Sequence, residues 1–183
     1  MSRLDDLLHS LRRFESLPAI AGDVPSRTYS ELLGAIDDWS SQLARRGITA
    51  GSVVALQADY SFDAIALLFA VLKGKGVLVL VPPAQQASRF LQDSCAQWLC
   101  VMDPEGAAHW NKVEPAADHA LLQGLRAQRR PGIVIFSSGS TGSPKAALQD
   151  VERFLGKFMK PGRRMRTLAF LLFDHVAGLD TLL

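Results

Sequence analysis

The sequence predicts an α/β fold, a largely parallel β-sheet with helices on both faces. Three observations point there. Residues 77–81 and 133–136 are apolar throughout and residues 53–58 nearly so, the pattern of strands buried on both sides. Stretches with helical spacing of apolar residues separate these runs, so strands and helices alternate. Turn formers such as Gly47, Gly74 and Pro82 stand at the junctions.

Each element has a local reason. Ser2 is placed to cap a helix whose Leu4, Leu7, Leu8, Leu11 and Phe14 share a face, with Asp5 and Asp6 in its first turn. Pro18 ends it, and residues 19–21 and 27–29 read as two short strands around the turn at residues 22–25. Ser30 is expected to cap a second helix carrying Leu32, Leu33, Ile36, Trp39 and Leu43, stopped by Gly47. A strand at 53–58 leads to Ser61, the cap of a helix over 62–72 so apolar that it must be covered on most sides. A strand at 77–81 ends at Pro82-Pro83, a helix is expected over 86–94, and a strand at 98–102 stops at Asp103-Pro104. Residues 105–115 carry no readable pattern, and 119–128 read as helix. After the strand at 133–136, residues 146–148 are expected to return as the second arm of a hairpin. Asp150 is placed to cap a helix over 151–159, ended by Pro161-Gly162, and a last apolar strand is expected over 167–172.

Composition narrows the class. The 183 residues suffice for one sizeable core, and 48% hydrophobic with 21% charged residues is globular usage. A formal net charge of +2 is too balanced to argue for nucleic acid. The basic groups Arg129-Arg130 and Arg163-Arg164 with Arg166 are short enough to be solvated chain ends of elements. Cys95 and Cys100 have neither redox nor zinc spacing, and no apolar leader or membrane-length segment occurs; a reduced cytosolic protein is expected, with no membrane partner. The four histidines are scattered, so no histidine metal site is expected.

Chemistry concentrates in residues 133–146. A core strand stops at a loop of hydroxyls and glycines: Ser137, Ser138, Gly139, Ser140, Thr141, Gly142 and Ser143, closing on Pro144 and Lys145. Glycines let N–H groups approach a ligand, hydroxyls add donors, and Lys145 adds a compact charge, a set suited to a polyphosphate. A flexible Ser/Gly linker is the competing reading, but linkers seldom start on a core strand or end in Pro-Lys. The loop is not a Walker A: Ser143 and Pro144 separate Gly142 from Lys145, and no hydroxyl follows Lys145 to hold magnesium. The dinucleotide fingerprint Gly-x-Gly-x-x-Gly is also missing.

Ser137-Ser138-Gly139-Ser140-Thr141-Gly142-Ser143-Pro144-Lys145 resembles the phosphate-loop signature of adenylate-forming enzymes, which include acyl-CoA synthetases, nonribosomal peptide synthetase adenylation domains and luciferases. Further segments agree in order: Thr28-Tyr29-Ser30-Glu31-Leu32, Gly51-Ser52-Val53-Val54-Ala55-Leu56, residues 70–76 with the Pro-ending strand after them, and Phe173-Asp174-His175-Val176-Ala177-Gly178. The resemblance implies the N-terminal portion of that family's fold over residues 1–183. It implies activation of a carboxylic acid by ATP with Mg2+, giving an acyl-adenylate and pyrophosphate. Thioester formation on CoA or a carrier-protein phosphopantetheine would follow. It assigns the β- and γ-phosphates to Ser137, Ser138, Gly139, Ser140, Thr141, Gly142 and Lys145, and the acyl or adenylate pocket to His175. A core or capping histidine is the alternative for His175, and Asp174 would orient it or, preferably, cap the helix that follows.

Ala146 stands where the family usually has Gly, and Gln149-Asp150 where Ser-His is common. The family's later Tyr-Gly-x-Thr-Glu segment, ribose-binding Asp and mobile-domain Lys are not found before Leu183, so catalysis by this chain alone is not expected. A mean hydropathy of +0.12 fits core-facing surface left open. The rival reading is a non-catalytic binding or assembly module. It would form a homodimer or dock on a complementing fragment through an exposed apolar face.

Overall fold

In a computed structural model the described residues are 2–22, 25–82, 87–115, 118–137, 144–159, 166–169 and 171–182. The elements are α1 (Arg3–Leu11), β1 (Pro18–Ile20), β2 (Arg27–Thr28), α2 (Tyr29–Arg45), β3 (Val53–Gln57), α3 (Phe62–Lys73), β4 (Val77–Val81) and α4 (Ala87–Asp93). They continue with β5 (Trp98–Met102), β6 (Ala108–Lys112), α5 (Ala120–Ala127), β7 (Gly132–Ser137), β8 (Lys145–Asp150), α6 (Val151–Phe154) and α7 (Val176–Leu182). Among the described residues, β1 and β2 form a small antiparallel pair, and the main sheet runs β6-β5-β3-β4-β7-β8.

The four central strands of that sheet are mutually parallel, through β3–β5, β3–β4 and β4–β7. Antiparallel β6 and β8 close the two edges. Because side chains alternate across a strand, each apolar run feeds two cores. Val54, Leu56, Leu78, Leu80, Ile133 and Ile135 pack with residues of α1, α2, α3 and α7. Val53, Ala55, Val77, Val79, Val134 and Phe136 face the other way, onto residues of α4 and α5. The expected largely parallel sheet with helices on both faces is therefore what forms.

α3 lies deepest. Its residues from Ala64 to Leu72 are all buried, which explains a helix with no polar face. Ser61 caps it as expected, its Oγ accepting from the Ala64 N–H at 3.1 Å. The helices before the parallel strands end alike. Gly47 (φ 74°), Lys75 (φ 61°), Cys95 (φ 55°) and Arg129 (φ 50°) each take the left-handed conformation just after α2, α3, α4 and α5. The amide that follows each reaches back into the last helical turn, for example Gly76 N to Val71 O at 2.9 Å.

The structure corrects several expectations. α2 begins at Tyr29, two residues earlier than a Ser30 cap allows. Thr28 is the cap, and Glu31 reciprocates by accepting from the Thr28 N–H at 2.8 Å, a capping box that outcompetes a lone serine. The unreadable stretch 105–115 contains β6, whose Ala-His-Trp-Asn-Lys sequence is half exposed at the sheet edge and so lacks an apolar run. The helix expected over 151–159 is one α-helical turn followed by a 3₁₀ turn, Leu155–Phe158. Residues 167–169, 171 and 172 are not strand: Leu168 is 78% exposed and Leu172 59%, and without a sheet edge to join, apolar composition alone does not make a strand. The expected features at Asp23-Val24, Pro83, Gln86, Pro161-Gly162 and Arg163-Arg164 lie outside the described residues.

Thr28→Ala removes the oxygen that accepts from Glu31 N and should cost about 1 kcal/mol in urea unfolding. The partner carboxylate makes the effect pH-dependent. Hydrogen bonds from Thr28 hold Glu31 below its usual 4.5, so the folded state releases that proton more readily than the unfolded chain. The contribution is complete above that value and is lost as pH falls through the lowered pKa. Glu31→Gln should flatten the acid limb of a melting-temperature profile.

Candidate functional site at the carboxyl ends of the parallel strands

In an open parallel sheet the loops beyond the carboxyl ends of the strands converge on one edge, where ligands collect. Here that edge receives the chain leaving β3 at Gln57, β4 at Val81, β5 at Met102 and β7 at Ser137. Gln57 Nε2 donates to the Pro82 carbonyl at 3.0 Å, tying the ends of β3 and β4 together.

β7 and β8 are the two arms of a hairpin in continuous register from Gly132↔Asp150 to Ser137↔Lys145. Ser138, Gly139, Ser140, Thr141 and Gly142, the middle of the expected phosphate loop, lie outside the described residues. Its two ends are placed. Ser137 and Lys145 are paired and exposed, so their side chains share one face. Counting by twos along β7, that face is the one carrying Ile133 and Ile135, against which α7 packs through Leu179. The ladder between β4 and β7 stops at Val79↔Val134. Among the described residues no further β4 pair follows, so Ser137 and Lys145 lie past the end of the β4–β7 ladder.

The hairpin rests on a satisfied base. Asp150 accepts from the amides of Glu152 (2.9 Å) and Arg153 (3.3 Å), capping α6 as expected, and Arg130 Nη1 reaches its other oxygen at 2.8 Å. At the far end of β7, Phe136 packs edge-on against Phe90 of α4, centroids 4.6 Å apart.

His175 stands at the start of α7, its side chain 55% exposed and its Nε2 3.8 Å from Asp174 Oδ2. Its backbone is fixed on both sides: its N–H donates to the Leu172 carbonyl and its carbonyl accepts from Leu179 N–H. α7 starts at Val176, so His175, not Asp174, occupies the position before the helix, and the largely buried Asp174 stands one residue further out. The two strand ends that carry His175's surroundings and the hairpin, β3 and β7, are separated by β4 alone, roughly 10 Å across the sheet.

Tyr60 is the residue at this edge that sequence reading missed. It follows β3 directly, its hydroxyl donates to the Gly178 carbonyl, and its ring lies 4.9 Å from that of Phe173. Burial pushes its phenol pKa up, so it remains a donor. An aromatic between a buried parallel strand and a helix-capping serine was the available signal. Cys100 offers no nucleophile: it is fully buried and burial pushes its thiol up to about 12. Among the described residues no group of three or more His, Cys, Asp or Glu is placed to hold a metal ion, and no helix is long and apolar enough to cross a membrane.

The fold finds clear counterparts. Residues 7–183 match the family of AMP-binding enzymes, and the chain belongs to it. It is 32% identical over 157 residues to malformin synthetase mlfA of Aspergillus luchuensis, covering 76% of this chain and 3% of that protein. The structure resembles the N-terminal domain of FACL13 from Mycobacterium tuberculosis, solved with an inhibitor, at a TM-score of 0.75 and 21% identity over 100% of this chain and 54% of that one. It also resembles the o-succinylbenzoate CoA synthetase MenE of Bacillus subtilis in complex with its acyl-adenylate, at a TM-score of 0.72 and 17% identity, covering 100% of this chain and 52% of that one. The chain thus spans about half the length of these solved chains and a small part of the synthetase. The matched region is the N-terminal portion of the adenylate-forming fold.

Tyr60→Phe removes a side-chain hydrogen bond from this edge to α7 and should cost about 1 kcal/mol. Amide hydrogen exchange should quicken in α7 and stay unchanged in β3 and β4.

Proposed function

We propose that residues 1–183 are the N-terminal, phosphate-handling part of an ATP-dependent ligase that activates a carboxylic acid. In that reaction a substrate carboxylate oxygen bonds to the α-phosphorus of ATP, the bond to the β-phosphate breaks, and acyl-adenylate and pyrophosphate result. Thioester formation on CoA or a carrier-protein phosphopantetheine would follow in the whole enzyme. The observation that carries this reading is the pairing of Ser137 with Lys145 at the exposed mouth of the β7–β8 hairpin, on the carboxyl edge, in a chain of the AMP-binding family.

The chemistry fits the donors. Pyrophosphate is the leaving group, and negative charge grows on it as the bond breaks. An ammonium and a hydroxyl directed at that position stabilise the developing charge more than the ground state, which is what accelerates a step. Ser138, Gly139, Ser140, Thr141 and Gly142 would add backbone and hydroxyl donors between them, and His175 would line the acyl or adenylate side. Mg2+, if used, would be held largely by the phosphates, since the described residues supply no cluster of ligands for it. The adenine site, most of the acyl pocket and the thiol acceptor would come from sequence beyond the matched region.

A second reading has its own observation. Met159, Leu168, Leu172 and Val176 are exposed apolar side chains grouped late in the chain, at 42%, 78%, 59% and 46%. Exposed apolar side chains of this kind suit a module that docks on a second copy or a complementing fragment. Light scattering tests this second reading: a dimer is expected from it, and a monomer that also binds no ATP or pyrophosphate would defeat both readings.

Lys145→Ala, introduced where these residues are joined to the remaining half of the domain, should slow acid-dependent ATP–pyrophosphate exchange on the order of 100-fold. An unchanged rate would refute the role of Lys145. Residues 1–183 alone should show no such exchange.

A further inference from the structure

At the opposite end of the parallel strands lies an open cleft of about 470 Å³, between the start of α1, the Gly74–Gly76 turn before β4 and the Arg129–Pro131 turn before β7. Four cationic residues, Arg3, Lys75, Arg129 and Arg130, line it together with Glu152. Its volume is that of a small-ligand site. β7 is six residues long, which puts the cleft roughly 20 Å from Ser137.

The cations are not equivalent. Arg130 is held by Asp150 at 2.8 Å, and Arg3 is held by the Glu152 carbonyl. Both are thereby fixed in direction. Among the described residues the Arg129 guanidinium has no partner, and Lys75 Nζ makes one 3.4 Å hydrogen bond, to Ser2 Oγ, while its charge helps hold the Asp5 carboxyl below its usual value. Both residues stand in left-handed backbone conformations, which a side chain enters at a cost and which Gly47 fills after α2. The negative ends of α3 and α5 favour a cation at those two positions but leave the donors of both side chains open. Among the described residues Glu152 Oε1 is buried without a partner, while Oε2 accepts from Arg3 N–H at 2.8 Å.

We propose that this cleft binds a phosphate group, separately from the hairpin loop. A guanidinium offers two parallel N–H donors to a phosphate, and Lys75 adds a point charge opposite. The Arg3 and Arg130 guanidiniums keep the cleft positive while Asp150 and Glu152 set their directions. Near neutral pH orthophosphate and phosphomonoesters still carry a protonated oxygen in part of the population, which supplies a donor for Glu152 Oε1.

The test is amide chemical-shift mapping on the whole 183-residue chain at low ionic strength, with orthophosphate and with glycerol phosphate titrated separately. Saturable shifts are expected at residues 3, 75–76 and 129–131. The tighter of the two ligands identifies the source as free phosphate or ester. Arg129→Gln should weaken binding at least about tenfold, the loss of a charged hydrogen-bond pair, and Lys75→Gln should weaken it less. Arg129→Gly, which takes the left-handed conformation without strain, should keep or raise the melting temperature yet lose the binding. Lys145→Ala should leave it unchanged. Shifts that grow linearly over all surface cations, that appear only at residues 137–145, or that survive Arg129→Gln and Arg129→Gly would each overturn the proposal.

Discussion

The arrangement at the carboxyl edge depends on the way β7 joins β4. Only three residue pairs form that ladder, Val77↔Gly132, Leu78↔Ile133 and Val79↔Val134. The approach is close because residue 132 is glycine: a Cβ there would lie 2.6 Å from Leu125 Cδ2 and 3.3 Å from Val77 Cγ2. This short seam anchors the hairpin base in the core while its outer half runs on past the end of that ladder, paired with β8. A rigid root and a projecting tip let a loop meet a ligand without its strand leaving the core.

The same seam divides the molecule into two chemical ends. Toward the carboxyl edge are the exposed pair Ser137 and Lys145, the anchored Tyr60 and the turn carrying Asp174 and His175. Toward the amino edge, helices α3 and α5 are followed by the left-handed residues Lys75 and Arg129, which line a basic cleft. Helix, left-handed residue and strand recur along the parallel sheet, so one backbone device sets both edges. The side chains placed on it decide what each edge can bind.

Much of this was legible in the sequence, for a physical reason. Strands buried on both faces must be apolar throughout, so β4 and β7 announce themselves, and the all-apolar α3 announces its depth. The phosphate-loop spelling is likewise local, because donors spaced along one loop need no distant partner to be recognised. Legibility failed where tertiary context decides. β6 is an edge strand, and half-exposed Ala-His-Trp-Asn-Lys has no run to see. Residues 167–172 look like a strand, yet exposed Leu168 and Leu172 have no ladder to join. Thr28 outcompetes Ser30 because Glu31 completes its box, a three-residue relation that a single serine conceals. Tyr60 matters only because Gly178, 118 residues away, comes to meet it.

The central claim is that the hairpin loop of this AMP-binding family member handles pyrophosphate. Mapping pyrophosphate onto the amides of the whole chain tests it most directly. The account predicts the largest saturable shifts between Ser137 and Lys145, abolished by Lys145→Ala and retained in Arg129→Gln. Pyrophosphate that leaves those amides untouched, or that perturbs them equally in Lys145→Ala, would contradict it.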